Sequence, residues 1–379
     1  MMDEQVLTGA RIVLDDRVVE GAVVVRDGVI VAIDEGRTAV GEDLGGDYLL
    51  PGLVELHTDH LESHFRPRPG VHWNPIAALQ SHDAQVIGAG IVTVFDALRA
   101  GDADERPLGR DSLLLADAIA SARADDRLKA DHFIHVRCEI SSQQLLADAE
   151  PLFSTGAVRL ASLMDHTPGQ RQFARLDAYH RFYPENARLS PAEQDAFVAE
   201  RLAAAARIVA ANRPAIVAMA HAGGAILASH DDATLVHVEE AAADGIAIAE
   251  FPTTVEAAAA SRAAGMKVLM GAPNVVRGGS HSGNAAAGDL ARAGLLDILS
   301  SDYVPFSLMQ AVFLLPETVP GMDLAGAVRL VTRVPAETVG LNDRGSIAPG
   351  RRADLVRVRH QPGTVPVVRA VWREGVRVA

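Results

Sequence analysis

The sequence predicts a (β/α)8 barrel with a small β-sandwich assembled from the two chain ends. Three observations lead there. Eight apolar, strand-like runs alternate with helical stretches between residues 51 and 344. Both ends, residues 1–50 and 345–379, are rich in β-formers and lack a helical period. Imidazoles and carboxylates fall just after several of the runs, where a barrel collects its functional groups.

Taken in order, residues 10–14, 18–19, 22–26 and 29–33 read as strands. Asp15-Asp16, Glu20-Gly21 and Asp27-Gly28 are the turns between them. Residues 353–358 and 367–378 have the same texture, so the ends are expected to meet in one domain (1–50 plus 345–379) beside a hydrolase barrel (51–344). Barrel strands are predicted at 52–57, 91–96, 132–139, 157–165, 225–230, 246–250, 267–271 and 297–302. Helices are predicted at 75–89, 111–128, 191–212 and 232–244. Pro214 followed by Gly223-Gly224 marks a further one by the rule of proline at the start and glycine past the end. A doubly wound open sheet is the competing fold, but no GxGxxG turn follows the first strand.

Composition narrows the function classes. The 379 residues are 49% hydrophobic and 22% charged, enough for a large core without staples. A net charge of −14 argues against nucleic-acid binding, although a metal and a few arginines can reverse the field locally. The single cysteine, Cys138, allows no internal disulfide and fits a reducing compartment. The first residues lack a basic, apolar leader, and no uninterrupted apolar run reaches the roughly 18 residues of a membrane span. The expectation is a cytoplasmic protein without nucleic-acid or membrane partners. A homo-oligomer is left open.

The strand ends carry the chemistry. The first ends in His57-Thr58-Asp59-His60, and alternation puts His57 and Asp59 on one side. The third ends in Glu139, the fourth in Asp165-His166, the fifth in His230-Asp231-Asp232 and the eighth in Asp302. Nitrogen and oxygen donors without thiolates suit Zn²⁺, Mn²⁺ or Fe²⁺ with an open water position. Glu139 could bridge two such ions, and Asp302 could take a proton from water, or simply cap the next helix. Asp96 and Glu250 read first as structural or supporting residues. His221 reads as a helix-surface histidine and Cys138 as a buried small residue.

Two loops suit anions. Residues 274–284 combine glycines with Arg277, His281 and Asn284, and residues 65–73 hold Arg66 and Arg68 between prolines. A flexible solvent loop and a rigid connector are the plain alternatives.

These residues also resemble a known family. LPGLVELH (50–57) and GSIAPGRRADLV (345–356) are similar to the amidohydrolase superfamily. HTDHLESHFRPRPGVHW (57–73), SHDAQ (81–85), GIVTVFDAL (90–98), MDHTPGQRQF (164–173), ASHDDAT (228–234), AEFPTT (249–254), NVVRGGSHSGN (274–284) and SSDYVP (300–305) resemble one branch of it, nearly end to end. That branch is the diphosphatases of phosphonate catabolism that act on triphosphorylated ribose 1-methylphosphonate ahead of the C–P lyase. The resemblance implies a distorted (β/α)8 TIM barrel and metal-dependent release of pyrophosphate from that small-molecule substrate. It also implies a binuclear centre held by His57, Asp59, Glu139, His166 and His230, with Asp302 beside the attacking water. His60 stands where the branch carries Asn, which bears on substrate choice more than on metal binding. The competing activities are C–N hydrolysis (deacetylase, cyclic amidase or deaminase) on the same fold, and a catalytically silent binding protein.

Overall fold

The structure is a computed structural model that describes residues 4–36, 38–101, 108–167, 171, 191–280 and 283–379. The chain opens with β1 (Glu4–Val13), β2 (Val18–Arg26), β3 (Val29–Glu35), β4 (Glu42–Asp43) and β5 (Tyr48–Pro51). It closes with β14 (Leu355–Arg359), β15 (Val367–Arg373) and β16 (Val376–Arg377). These eight form one sheet in the order β16-β15-β14-β5-β1-β2-β3, with β4 on β1. The two ends meet where β5 pairs antiparallel with β14.

Alternation gives this sheet two apolar faces. Ile12, Leu49, Leu355, Ala370 and Trp372 face a core belonging to the sheet itself. Their neighbours Val13, Leu50, Val356 and Val371 join the cluster that contains the barrel residues Leu53, Ile91 and Val94. One set of strands therefore closes its own core and docks on the barrel. Trp372 is fully buried in the first cluster. Trp372→Ala is expected to cost about 3–5 kcal/mol, read as a lower denaturant midpoint. An unchanged midpoint would contradict this packing. At the junction the Gly52 N–H donates to the Asp354 carbonyl at 2.8 Å. A Cβ on Gly52 would lie 2.7 Å from Val92 Cγ2, so only glycine fits the crossing.

The barrel strands are β6 (Leu53–Thr58), β7 (Ile91–Ala100), β8 (Asp131–Glu139), β9 (Val158–Met164), β10 (Ile226–His230), β11 (Ile248–Glu250), β12 (Lys267–Gly271) and β13 (Ile298–Ser300). All are parallel and in sequential order. A bridge between Thr58 and Asp302 closes the circle. The eight predicted strands are all present. Leu56, Phe95, Leu160, Ala228, Ile248, Leu269 and Ile298 form one buried cluster, with Phe133 packed on it. A cluster to which every strand contributes lies inside the cylinder. Two residues further along, Ser162, His230, Glu250, Gly271 and Ser300 sit on the same side, towards the C-terminal ends. The apolar plug is thus the floor of the site.

Four expectations are corrected. β7 continues to Ala100, so Asp96 lies inside the strand and not at its end. The helices predicted at 191–212 and after Pro214 are one, α5 (Pro191–Gly223), running through the proline. The buried Asn212 amide anchors it there by donating to the carbonyls of Ile140 and Ser142 at 3.0 and 2.7 Å. Its segment Leu202–Gly223 is long and apolar enough to cross a membrane by composition. Here it lies on the barrel, where Arg213 pairs with Glu240 and Asp244 of the adjoining segment. The start of the 274–284 loop belongs to α8 (Ala272–Arg277), with Pro273 in its first turn and Gly278 as a left-handed cap at φ 78°. A short α1 (His60–Phe65) precedes the arginine-bearing turn at 66–71.

Candidate metal centre

Register builds the centre of the mouth. β10 and β11 pair so that His230 lies beside Glu250. The β6 end brings His57 against both. His57 Nδ1 is 3.0 Å from Glu250 Oε1, and the His57 and His230 ring centroids are 5.6 Å apart. Potential ligand atoms of His57, His230 and Glu250 all lie within 4.8 Å of one another. The Phe251 ring packs edge-on against both histidines. Behind them Glu55 accepts from the backbone N–H groups of His57 and Ser301 at 2.6 and 2.5 Å. Burial raises the Glu55 carboxyl to about 7. Burial, with Arg137 nearby, drives His57 well below its usual value. His57 is therefore neutral, the form in which an imidazole offers a lone pair.

Glu139 and His166 form a second, adjoining pair. His166 Nδ1 lies 2.5 Å from Glu139 Oε2, and Ser141 Oγ donates to Glu139 Oε1 at 2.5 Å. Burial pushes the Glu139 carboxyl up, but the His166 ring outweighs it and holds it below the usual range. The His166 and His230 centroids are 6.2 Å apart, so the two pairs share one mouth.

Asp59 is met by arginines. Arg137 Nη1 lies 3.1 Å from Asp59 Oδ2, and Arg99 Nη2 lies 3.7 Å from it. Against the upward push of burial, these guanidiniums hold the Asp59 carboxyl low. Sequence reasoning missed Arg137. The signal was present, because Arg137 is two residues before Glu139 and so shares its side of β8.

Asp302 sits at φ 54°, and its N–H donates to the His57 carbonyl at 3.2 Å while its carbonyl accepts from Thr58 Oγ1 at 3.0 Å. The following helix, α10 (Ser307–Thr318), is capped at Phe306, so the capping alternative for Asp302 falls. Burial, then the nearby Asp59, raises its carboxyl to about 7. Asp231 (φ 58°) and Phe251 (φ 53°) share this left-handed backbone just past β10 and β11. Such positions concentrate where a site holds its backbone under strain. His230 Nδ1 lies 2.8 Å from Asp231 Oδ2. Asp232 instead pairs with Arg171.

The anion-loop residues are placed less uniformly. Arg66 Nε donates to Asp111 Oδ2 at 2.5 Å, so its charge is already paired. Arg68 lies in an exposed turn, Arg277 ends α8 exposed, and Asn284 is half-buried. His281 lies outside the described residues. His60 is half-buried on α1. His221 is exposed on α5 and Cys138 is fully buried, its thiol pushed far up by burial. Asp96 accepts from two buried rings, with His82 Nε2 at 2.9 Å and His132 Nδ1 at 2.7 Å.

The donor set fits a divalent cation. Glu250 Oε2 is buried and has no hydrogen-bond partner among the described residues, although its twin oxygen touches His57. A buried carboxylate oxygen left bare is costly, and a cation held beside the neutral His57 ring would satisfy it.

Comparison with known proteins agrees. The family described as the amidohydrolase family matches residues 242–379. The α-D-ribose 1-methylphosphonate 5-triphosphate diphosphatase of Escherichia coli (strain K12) is 45% identical over 98% of this chain and 100% of its own. Among solved structures, the 5-methylcytosine deaminase of Klebsiella pneumoniae superimposes at a TM-score of 0.66 with 15% identity, over 99% of this chain and 98% of that one. The N-acetyl-D-glucosamine-6-phosphate deacetylase of Mycobacterium smegmatis does so at 0.65 with 17% identity, over 99% and 100%. At that identity both show the fold alone. With the full-length likeness, the closed barrel and the histidine–carboxylate mouth together, the chain belongs to the amidohydrolase superfamily, in the branch of the α-D-ribose 1-methylphosphonate 5-triphosphate diphosphatases.

Proposed function

We propose that this protein is a cytoplasmic, metal-dependent diphosphatase. It hydrolyses α-D-ribose 1-methylphosphonate 5-triphosphate to the 5-phosphate and pyrophosphate. The 45% identity over the full length of the Escherichia coli diphosphatase carries this reading. In it, His57, Asp59, Glu139, His166, His230 and Asp302 would hold two divalent cations, Zn²⁺, Mn²⁺ or Fe²⁺, with Glu250 backing His57 through Oε1 and leaving Oε2 to a cation. Such cations supply Lewis acidity and lower the pKa of water towards neutrality.

The chain's own residues do the rest. Asp302, held just past β13 by its backbone bonds to His57 and Thr58, takes the proton of the water that attacks the α-phosphorus. The bond from that phosphorus to the bridging oxygen breaks, and pyrophosphate leaves. Arg66, Arg68, Arg277, His281, Asn284 and His60 receive the phosphate oxygens, and Arg137 adds positive charge beside Asp59. The Phe251 ring shields one side of the histidines from water.

The competing reading from the sequence is C–N bond hydrolysis on the same fold. One experiment separates the two. Protein stripped with a chelator is expected to release no pyrophosphate from the triphosphate ester, and added Zn²⁺ or Mn²⁺ is expected to restore release. Ammonia or free amine from amide substrates, with no pyrophosphate from the ester, would establish the second reading instead.

A further inference from the structure

Beside the mouth, α1 and α2 (Pro75–Gly88) bring three more imidazoles together. His60 and His64 are one turn apart on α1 and share a face. His82 comes from the facing side of α2 and is fully buried. The ring centroids are 4.9 Å apart for His60 and His64, 5.8 Å for His60 and His82, and 6.0 Å for His64 and His82. One potential ligand atom from each lies within 4.8 Å of the other two.

The hydrogen bonds of these rings leave nitrogens over. His82 gives Nε2 to Asp96 Oδ1 at 2.9 Å, and His64 gives Nε2 to Gln85 Oε1 at 3.1 Å. The Nδ1 atoms of His82 and His60 are buried with no partner among the described residues. A carboxylate or amide fixing one ring nitrogen while the other stays bare is how proteins hold a metal-ligating histidine. Buried ring nitrogens without partners otherwise cost stability. The neighbouring group His82, Asp96 and His132 is close enough by distance too. Apart from the same His82 Nδ1, its members satisfy one another and Asp83 by hydrogen bonds, so it adds no further vacancy.

We propose that α1 and α2 form a separate cation site, in which Nδ1 of His60 and of His82 and the remaining nitrogen of His64 bind one transition-metal ion. Three imidazoles and no oxygen donor select Zn²⁺, Co²⁺, Ni²⁺ or Cu²⁺ over Mg²⁺ or Ca²⁺. Three protein ligands leave a fourth position open. The ion ties α1 to α2. Because Asp59 is the residue that begins α1, it also fixes the approach of that carboxylate to the central site.

The test counts metal. Full-length protein, stripped with a chelator and dialysed against excess Zn²⁺, is analysed by mass spectrometry for bound zinc. Wild type is expected to hold one equivalent more than His64→Phe or His60→Asn, with His221→Asn, an exposed histidine elsewhere, matching wild type. A zinc-soaked crystal is expected to show an anomalous peak among the three rings. Equal zinc content in all four proteins, or no peak there, overturns the proposal. If His64→Phe does not fold, His64→Gln takes its place, and the crystal measurement needs no variant.

Discussion

Asp302→Asn is expected to lower kcat about 100- to 10,000-fold, the range for removing a positioned acid–base group. The substitution keeps shape and hydrogen-bonding reach. Asparagine also tolerates the left-handed backbone that Asp302 adopts at φ 54°. The thermal midpoint should therefore stay within a degree or two while turnover collapses. What is lost is the carboxyl placed to accept the proton of the attacking water, which burial, then Asp59, raises above the usual carboxylate range. Steady-state release of pyrophosphate, with bound metal measured on the same sample, checks this. Turnover within a factor of about three of wild type would remove Asp302 from the reaction, since proton-transfer groups contribute far more.

The second large effect is on stability. Asp96, His82 and His132 are all fully buried. His132 Nδ1 and Nε2 lie 2.7 Å from Asp96 and 3.2 Å from Asp83. Burial opposes the charge on His132, but the two carboxylates outweigh it and raise the ring to about 9. Burial likewise opposes the Asp96 carboxylate, but the rings bring it down to about 2. Asp96→Asn leaves His132 with one carboxylate instead of two. Breaking a buried pair of this kind costs on the order of 3–5 kcal/mol, read from the denaturant midpoint near pH 6.

The pH profile makes the prediction sharper. His132 is raised, so its contribution is complete below its unfolded value near 6.5 and is lost as pH climbs through about 9. Asp96 is lowered, so its contribution is complete above its unfolded value near 3.8 and is lost as pH falls through about 2. Wild type should therefore lose stability between pH 6.5 and 9, and the variant should lose much less. Parallel profiles for the two proteins would show that the pair does not act as an ion pair.

The barrel was legible in the sequence because its strands are short apolar runs, most of them followed closely by polar residues, alternating with helical stretches. The mouth was legible for the same reason: His57, Glu139, His166, His230 and Asp302 all follow such runs. Glu250 was undervalued because its meaning lies between strands. Only the β10–β11 register puts it beside His230 and within reach of His57. Arg137 was within reach of simple alternation from Glu139. The internal position of Asp96 was not, because Asp96 itself looks like a strand end, while β7 runs on through Leu98 to Ala100 and its turn glycine, Gly101, comes only then. The single helix through Pro214 defied the local rule because Asn212 and Arg213 anchor the residues just before the proline, while Ile216 and Ala220 bury the turns after it.

The pairing of β5 with β14 has a consequence for biosynthesis. Leu50 meets Val356, so this contact spans roughly three hundred residues and cannot form until nearly the whole polypeptide has left the ribosome. Until then β5 presents an open edge, and the early strands lack Trp372 and Leu355 to cover them. Nascent chains that stall late, or messages truncated by even a few dozen codons, should accumulate as sticky, chaperone-bound species rather than as trimmed but working enzyme.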